Sequence, residues 1–180
     1  MFKKILLISF LILLSSCGSK KANYNANDSL ATVINKYRAS KGLPVIPVSP
    51  SLTKVARVHA ADLEKHQFQG RCNMHSWSDD GNWTDCCYTS DHAKAQCMWD
   101  KPKEITNGKY KGNGYEISAM YSGRITPQYA LTIWQASTGH HNVILSKDIW
   151  AKRKWNAMGA AISAHYAVVW FGNEVDPAGK

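Results

Sequence analysis

The chain has 180 residues, with 22 Lys and Arg against 13 Asp and Glu, a formal net charge of +9. Its 44% apolar and 19% charged residues exclude a disordered chain, and its length fits one domain that can bury a core without metals or disulfides. The positive charge by itself leaves nucleic acid or a membrane surface open as partners.

Lys3 and Lys4 precede Ile5 to Leu14, a ten-residue stretch that is apolar except for Ser9. As a helix it would span roughly 15 Å, about half a bilayer core, so a signal peptide is expected and not a transmembrane helix. The next residues, Leu14-Ser15-Ser16-Cys17-Gly18-Ser19, resemble a bacterial lipobox. That resemblance implies a lipoprotein signal peptide over residues 1–16, lipidation of Cys17, and an anchored, extracytoplasmic place in the cell envelope. Residues 17–28 then form the lipidated Cys and a flexible tether, since Gly18 to Asn27 is small and polar. Removing the signal lowers the net charge to +7, and Lys20 and Lys21 add attraction to anionic headgroups.

Asp28 or Ser29 can cap a first helix whose apolar residues fall at Leu30, Val33, Ile34 and Tyr37. Gly42 ends it and Pro44 prevents its resumption. A second helix starts near Pro50 and buries Leu52, Val55, Ala56, His59 and Leu63. From Gln67 to Gly123 neither period is sustained, and Gly, Asn, Asp, Trp and Cys dominate. Thr126-Pro127 opens a third helix carrying Ala130, Ile133, Trp134 and Ser137, which Gly139 is expected to close. Asn156 to Ser163 and His165 to Phe171 read as a hairpin whose second arm, apolar on both faces, is a central strand. The order of elements makes the chain α+β, a sheet between helices.

Four cysteines remain beyond Cys17: Cys72, Cys86, Cys87 and Cys97. Outside the cytoplasm they suggest two disulfides pinning the long irregular stretch, with Cys86 and Cys87 pairing elsewhere and not with each other. Three connectivities are open. A four-thiolate zinc site is the rival, and an oxidising compartment disfavours it.

Five segments stand out: Asn35 to Pro44; Asn73-Met74-His75-Ser76-Trp77; Gly112-Asn113-Gly114-Tyr115-Glu116-Ile117; Trp134 to Leu145 with its Ser137-Thr138-Gly139-His140-His141; and Met158 to Ala161 with Val168 to Gly172. In order and spacing they resemble the CAP superfamily, the cysteine-rich secretory, antigen 5 and pathogenesis-related proteins that share an SCP domain. The resemblance runs from about Leu30 to Asp176 and implies a CAP/SCP domain over residues 29–176 with a short tail at 177–180. It also implies a three-layer α-β-α sandwich with a central cleft. His75 and His140 match the two cleft histidines of the family, and Glu116 is the match for one of its two glutamates. Aligning Ile117 with the family's apolar residue instead puts Tyr115 on that glutamate position. No counterpart of the second glutamate lies near Trp134, where Gln135 and Ser137 stand. Tyr115, Ser137 and His141 are expected to support the cleft from behind.

Two imidazoles and a carboxylate in one cleft can hold Zn²⁺ with a water that becomes a nucleophile near neutral pH. The CAP resemblance implies a ligand-binding or envelope-interaction module, with a lipid, sterol or other envelope molecule as ligand and a divalent metal at His75 and His140 as a further expectation. The alternative is a metal-dependent, peptidase-like hydrolase using His75, His140 and Glu116; a third reading is an inert scaffold. No nucleic-acid motif accompanies the scattered Lys101, Lys103, Lys109, Lys111 and Lys152-Arg153-Lys154, which read as solvated. A monomer is expected. His59 reads as a core histidine, His66 and His92 as turn residues, and His165 as a strand-end turn residue. Trp134 and Trp170 read as core, while Trp77, Trp83 and Trp99 serve either as a small core for the cross-linked stretch or as cleft lining.

Overall fold

A computed structural model describes residues 22–179, so the signal segment and Cys17 lie outside the described residues. Helix α1 (Leu30–Ser40) is capped by the Ser29 hydroxyl, which accepts from the Thr32 amide, and it buries Leu30, Val33, Ile34 and Tyr37. Helix α2 (Pro50–His66) has Pro50 in its first turn, where a missing N–H costs nothing, and a Ser49 cap. The Asp176 carboxylate accepts from the hydroxyls of Ser49 and Ser51 and from the Ser51 amide, tying the far end of the chain to the start of α2. Short helices α3 (Ala95–Trp99) and α4 (Lys101–Ile105) lead into strand β1 (Gly114–Met120). Then follow α5 (Pro127–Ala136), α6 (Thr138–Leu145), β2 (Ala157–Ile162) and β3 (Tyr166–Gly172), with a closing 3₁₀ turn at Pro177–Gly179.

The three strands form an antiparallel sheet in the order β1-β3-β2. All seven residues of central β3 are buried, as its apolar run on both faces requires. Helix α2 covers one face, and α1, α5 and α6 cover the other, giving the α-β-α sandwich. Gly159 of β2 allows α2 to lie against the sheet. A Cβ there would sit 1.9 Å from the Leu52 carbonyl carbon and 2.1 Å from the Thr53 nitrogen.

Several expectations need correction. The stretch from Gln67 to Gly123 is not structureless, because it contains α3, α4 and the edge strand β1. The third helix ends at Ala136, and Gly139 does not close it. Ser137 takes an extended conformation, and a new helix, α6, begins at Thr138 so that Val143, Ile144 and Leu145 can turn into the core. The last part of the expected tether is packed against the domain. Asp28 pairs with Lys36 at 2.6 Å, Gln128 donates to the Asn25 carbonyl, and Tyr24 rests on the core. Lys101 is not solvated. Its ammonium is buried against Glu104 at 2.6 Å and lies 5.4 Å from the Trp77 ring centroid.

The four cysteines form Cys72–Cys87 and Cys86–Cys97, so the adjacent pair does bridge apart. The two bridges clamp the segment between α2 and α3, and a short antiparallel contact between Trp77 and Cys86 runs through it.

Candidate functional site: a histidine-carboxylate cleft

A cleft of about 430 Å³ opens between the clamped segment, β1 and α6. Its walls are largely apolar and aromatic, with Met98, Trp99, Tyr115, Val143, Ile149 and Trp150, and His75, Glu116 and His140 converge in it. Each polar residue arrives from a different element. His75 stands in the loop pinned by Cys72–Cys87, its amide donating to Asn73 Oδ1 at 2.9 Å. Glu116 is on β1, and His140 is in the first turn of α6. Of the two positions open for the carboxylate, Glu116 fills the one in the cleft; Tyr115 forms its wall.

The Glu116 side chain is fully buried between two imidazoles. Its Oε2 lies 3.2 Å from His75 Nδ1, and its Oε1 lies 2.8 Å from His59 Nδ1. The His59 contact is close but not aligned as a hydrogen bond, and neither atom has another partner. His59 Nε2 lies 2.9 Å from the Ser76 carbonyl oxygen, and the ring stacks on Trp77 at 4.2 Å. Both ring nitrogens thus face acceptors. Burial pushes the Glu116 carboxyl up, but the neighbouring His59 and the contacts with His59 and His75 outweigh it and hold the group below the usual carboxylate range. Glu116 is therefore an anion near neutral pH.

His140 meets His75 edge-on, ring centroids 6.4 Å apart. Its Nδ1 is buried without a partner. Burial, and next the neighbouring His75, push its pKa below the ordinary imidazole value, so it is neutral at pH 7. Tyr88 packs edge-on to His75 at 5.2 Å, its phenol pushed up by burial and by the Glu116 charge. Tyr115 is fixed by Trp150 at 5.3 Å, by Trp155 at 5.5 Å, and by the Arg153 guanidinium 4.4 Å over its ring.

The structure brings His75, Glu116, His140 and Tyr115 together and leaves out two residues expected beside them. His141 points the other way, its Nε2 2.7 Å from Tyr37 Oη, because successive residues of α6 face different sides. Ser137 sits at the α5–α6 junction, outside the cleft lining. His59 is in the core as expected, yet it is also the second partner of Glu116, which its place on the apolar face of α2 did not reveal. Trp99 and Trp150 line the cleft, whereas Trp77 and Trp83 pack edge-on at 5.4 Å in the core beneath it. His66 is held against Asp62 and Asp80, and His92 lies 2.8 Å from the Tyr88 hydroxyl.

Among the described residues no group of three or more His, Cys, Asp and Glu side chains is arranged to hold a metal ion. Both Glu116 oxygens face imidazole nitrogens, so an ion at His75 and His140 would find two protein ligands, one short of a catalytic zinc site. His75 and His140 thus supply two ligands of such a centre, and water or a bound molecule would have to supply the rest.

A three-stranded sheet between helical layers, with paired histidines and a buried carboxylate in a cleft, defines an α-β-α sandwich of the SCP type. Residues 31–150 match the model of the CAP, or cysteine-rich secretory protein, family, and the chain belongs to it. No curated protein matches significantly. Among solved structures, an outer surface protein from Borrelia burgdorferi is similar with a TM-score of 0.53 at 16% identity, over 81% of this chain and 90% of that one. An extracellular protein containing an SCP domain from Bacillus anthracis gives 0.55 at 14% identity, over 81% of this chain and 39% of its own. A cysteine-rich secretory protein from Staphylococcus aureus gives 0.50 at 15%, over 81% and 37%. At these identities the likeness concerns the fold.

Proposed function

We propose that this chain is an extracytoplasmic CAP-domain protein, anchored in a bacterial envelope through a lipid on Cys17, whose cleft binds a ligand with extensive apolar surface. The observation that carries the reading is the cleft itself. About 430 Å³ of space, walled by Met98, Trp99, Val143, Ile149 and Trp150 and ending on two imidazoles and an anion, suits a molecule with an apolar body and one polar group. A lipid or sterol of the envelope has that form. The fold neighbours named as outer surface and extracellular proteins support the location, as does the lipobox-like stretch before Cys17. No described helix is long and apolar enough to cross a membrane. The protein acts as a monomer, and nucleic acid is not among its partners.

Titration with palmitate and with cholesterol, followed by tryptophan emission, tests the cleft. Saturable binding of one equivalent that is lost in Trp150→Ala and weakened about tenfold, roughly 1.4 kcal/mol, in His75→Ala is the expected result. Binding of neither probe, or binding unchanged in both variants, contradicts it. Incorporation of an alkynyl fatty acid in growing cells, abolished by Cys17→Ala, tests the anchor.

One observation favours a second reading, a divalent-metal site of hydrolytic function. His140 Nδ1 is a buried polar atom with no partner, beside a second imidazole. Stoichiometric Zn and peptide cleavage lost together in His75→Ala and His140→Ala would establish it, and a metal-free, inactive protein would end it.

A further inference from the structure

At the opposite end of the sheet a second cavity, about 340 Å³, is lined by Phe68, Met74, Met120, Tyr121, His165 and Tyr166 among others. It shares no residue with the histidine-carboxylate cleft. Its lining comes from the residues that follow α2, from the end of β1 and from the start of β3, and α2 supports it from behind through Glu64. Glu64 of α2 accepts from the Ser163 hydroxyl at 2.7 Å, from the His165 amide at 3.0 Å, and from His165 Nδ1. Three donors from one turn converge on one carboxylate, which fixes the imidazole in place. Because the carboxylate only accepts, Nδ1 is the donor in this contact, and Nε2 is the ring nitrogen turned to the cavity side of the pair. Among the described residues Nε2 has no partner. The ring is nonetheless not free to wander, since its backbone is also held, the His165 carbonyl accepting from the Tyr121 amide at 3.0 Å.

A histidine oriented in this way through its other nitrogen is the arrangement found behind metal-ligating imidazoles. Besides the neutral amide and hydroxyl oxygens of Gln67, Gln69, Tyr121, Ser122 and Tyr166, the cavity offers two thioethers, the soft donors of its lining. Met120 ends β1 half-exposed, paired across the ladder with Tyr166, and Met74 lies half-buried against the core beneath α2. Thioether sulfur is a soft ligand that prefers Cu(I) to Zn²⁺ or Mg²⁺, and the unbranched Met side chain adapts to close on what it binds.

We propose that this cavity is a site for a soft monovalent cation, Cu(I) or its analogue Ag(I), held by His165 Nε2 and the sulfurs of Met74 and Met120. Glu64 is a positioning residue that fixes the imidazole and does not touch the ion. The site is independent of the cleft and stands whether or not the cleft binds a lipid.

Calorimetric titration of the oxidised protein with silver nitrate in chloride-free buffer tests the site. Anaerobic competition for Cu(I) against bicinchoninate, which needs no thiol reductant, serves as the second arm. One equivalent should bind, and ¹⁵N spectra should show the perturbation at His165 Nε2. Met74→Leu/Met120→Leu, which conserves volume and keeps the fold, should abolish binding, and His75→Ala/His140→Ala should leave it intact. Glu64→Gln should weaken it by about 10- to 100-fold while keeping the stoichiometry, as expected when the partner orienting a ligating imidazole is lost. Absence of binding, full binding by the double leucine variant, or binding that follows His75 and His140 overturns the proposal.

Discussion

Strand β1 divides the molecule into two chemistries. Tyr115, Ile117 and Ala119 point into the layer built by α1, α5 and α6, where Val169 and Phe171 of β3 complete an apolar core. Glu116, Ser118 and Met120 point to the α2 side. There the core holds buried polar atoms without hydrogen-bond partners: His59 Nδ1, Glu116 Oε1, Ser118 Oγ, and the indole nitrogens of Trp77 and Trp170. Native interiors rarely tolerate such groups unless water, a ligand or a function accounts for them. One face of the sheet is an apolar core, and the other holds the buried polar groups behind Glu116; the cleft opens where α6 and the clamped segment meet at one end of β1, and the Met-lined cavity lies at the other.

The largest expected effect lies in the clamps of the chemical side. Reducing both disulfides should cost roughly 2–5 kcal/mol for each bridge, read from urea unfolding, and should abolish palmitate binding as His75, Tyr88 and Trp99 lose their frame. Retained binding in the reduced protein would show that the cleft wall does not depend on the bridges.

Substitutions on the two faces sharpen the contrast. Glu116→Gln breaks a buried pair and should destabilise by about 3–5 kcal/mol while shifting the ring resonances of His59 and His75. Ile117→Ala, one residue along, should cost a comparable 2–5 kcal/mol or so through its cavity and leave those resonances in place. Equal ring shifts in both variants would erase the distinction between the faces.

A smaller effect is pH-dependent. Burial pushes the Asp176 carboxyl up, but hydrogen bonds from Ser49, Ser51 and Ala178 hold it below its ordinary value of 3.8. Its stabilisation is therefore fully present above that value and is lost as pH falls through the lower folded one. Tm curves of the wild type and Asp176→Asn should differ at pH 6 and converge at low pH, and a constant gap would refute the assignment. The smallest effect is expected at Ser118. Removing its unpartnered hydroxyl in Ser118→Ala should be neutral or slightly stabilising. A clear loss of stability would mean that the hydroxyl has a partner, such as an internal water.

Much of the apolar side is legible in the sequence. Leu30, Val33, Ile34 and Tyr37 announce α1 by their spacing, and the run from Tyr166 to Phe171 announces a central strand. The CAP resemblance located His75 and His140 and left the carboxylate position between Tyr115 and Glu116. What escaped was tertiary. The alternation of Gly114 to Met120 is only seven residues long and lies in a stretch crowded with Gly, Asn and Cys, so β1 did not stand out. His59 keeps helical period with Leu52, Val55 and Leu63, and period alone says core. Its pairing with Glu116 exists only because α2 packs across β1. Gly139 looked like a helix stop, and the chain broke two residues earlier because Val143 to Leu145 needed a new axis to reach the core.

That the histidine-carboxylate cleft is where the ligand binds is tested most directly by a ¹H–¹⁵N chemical-shift map recorded during palmitate titration. Saturable shifts are expected at the imidazoles of His75 and His140 and the indoles of Trp99 and Trp150, with Tyr37, His141 and Val169 unmoved. Shifts confined to the Tyr37 and His141 surface, or none at a saturating concentration, would contradict it.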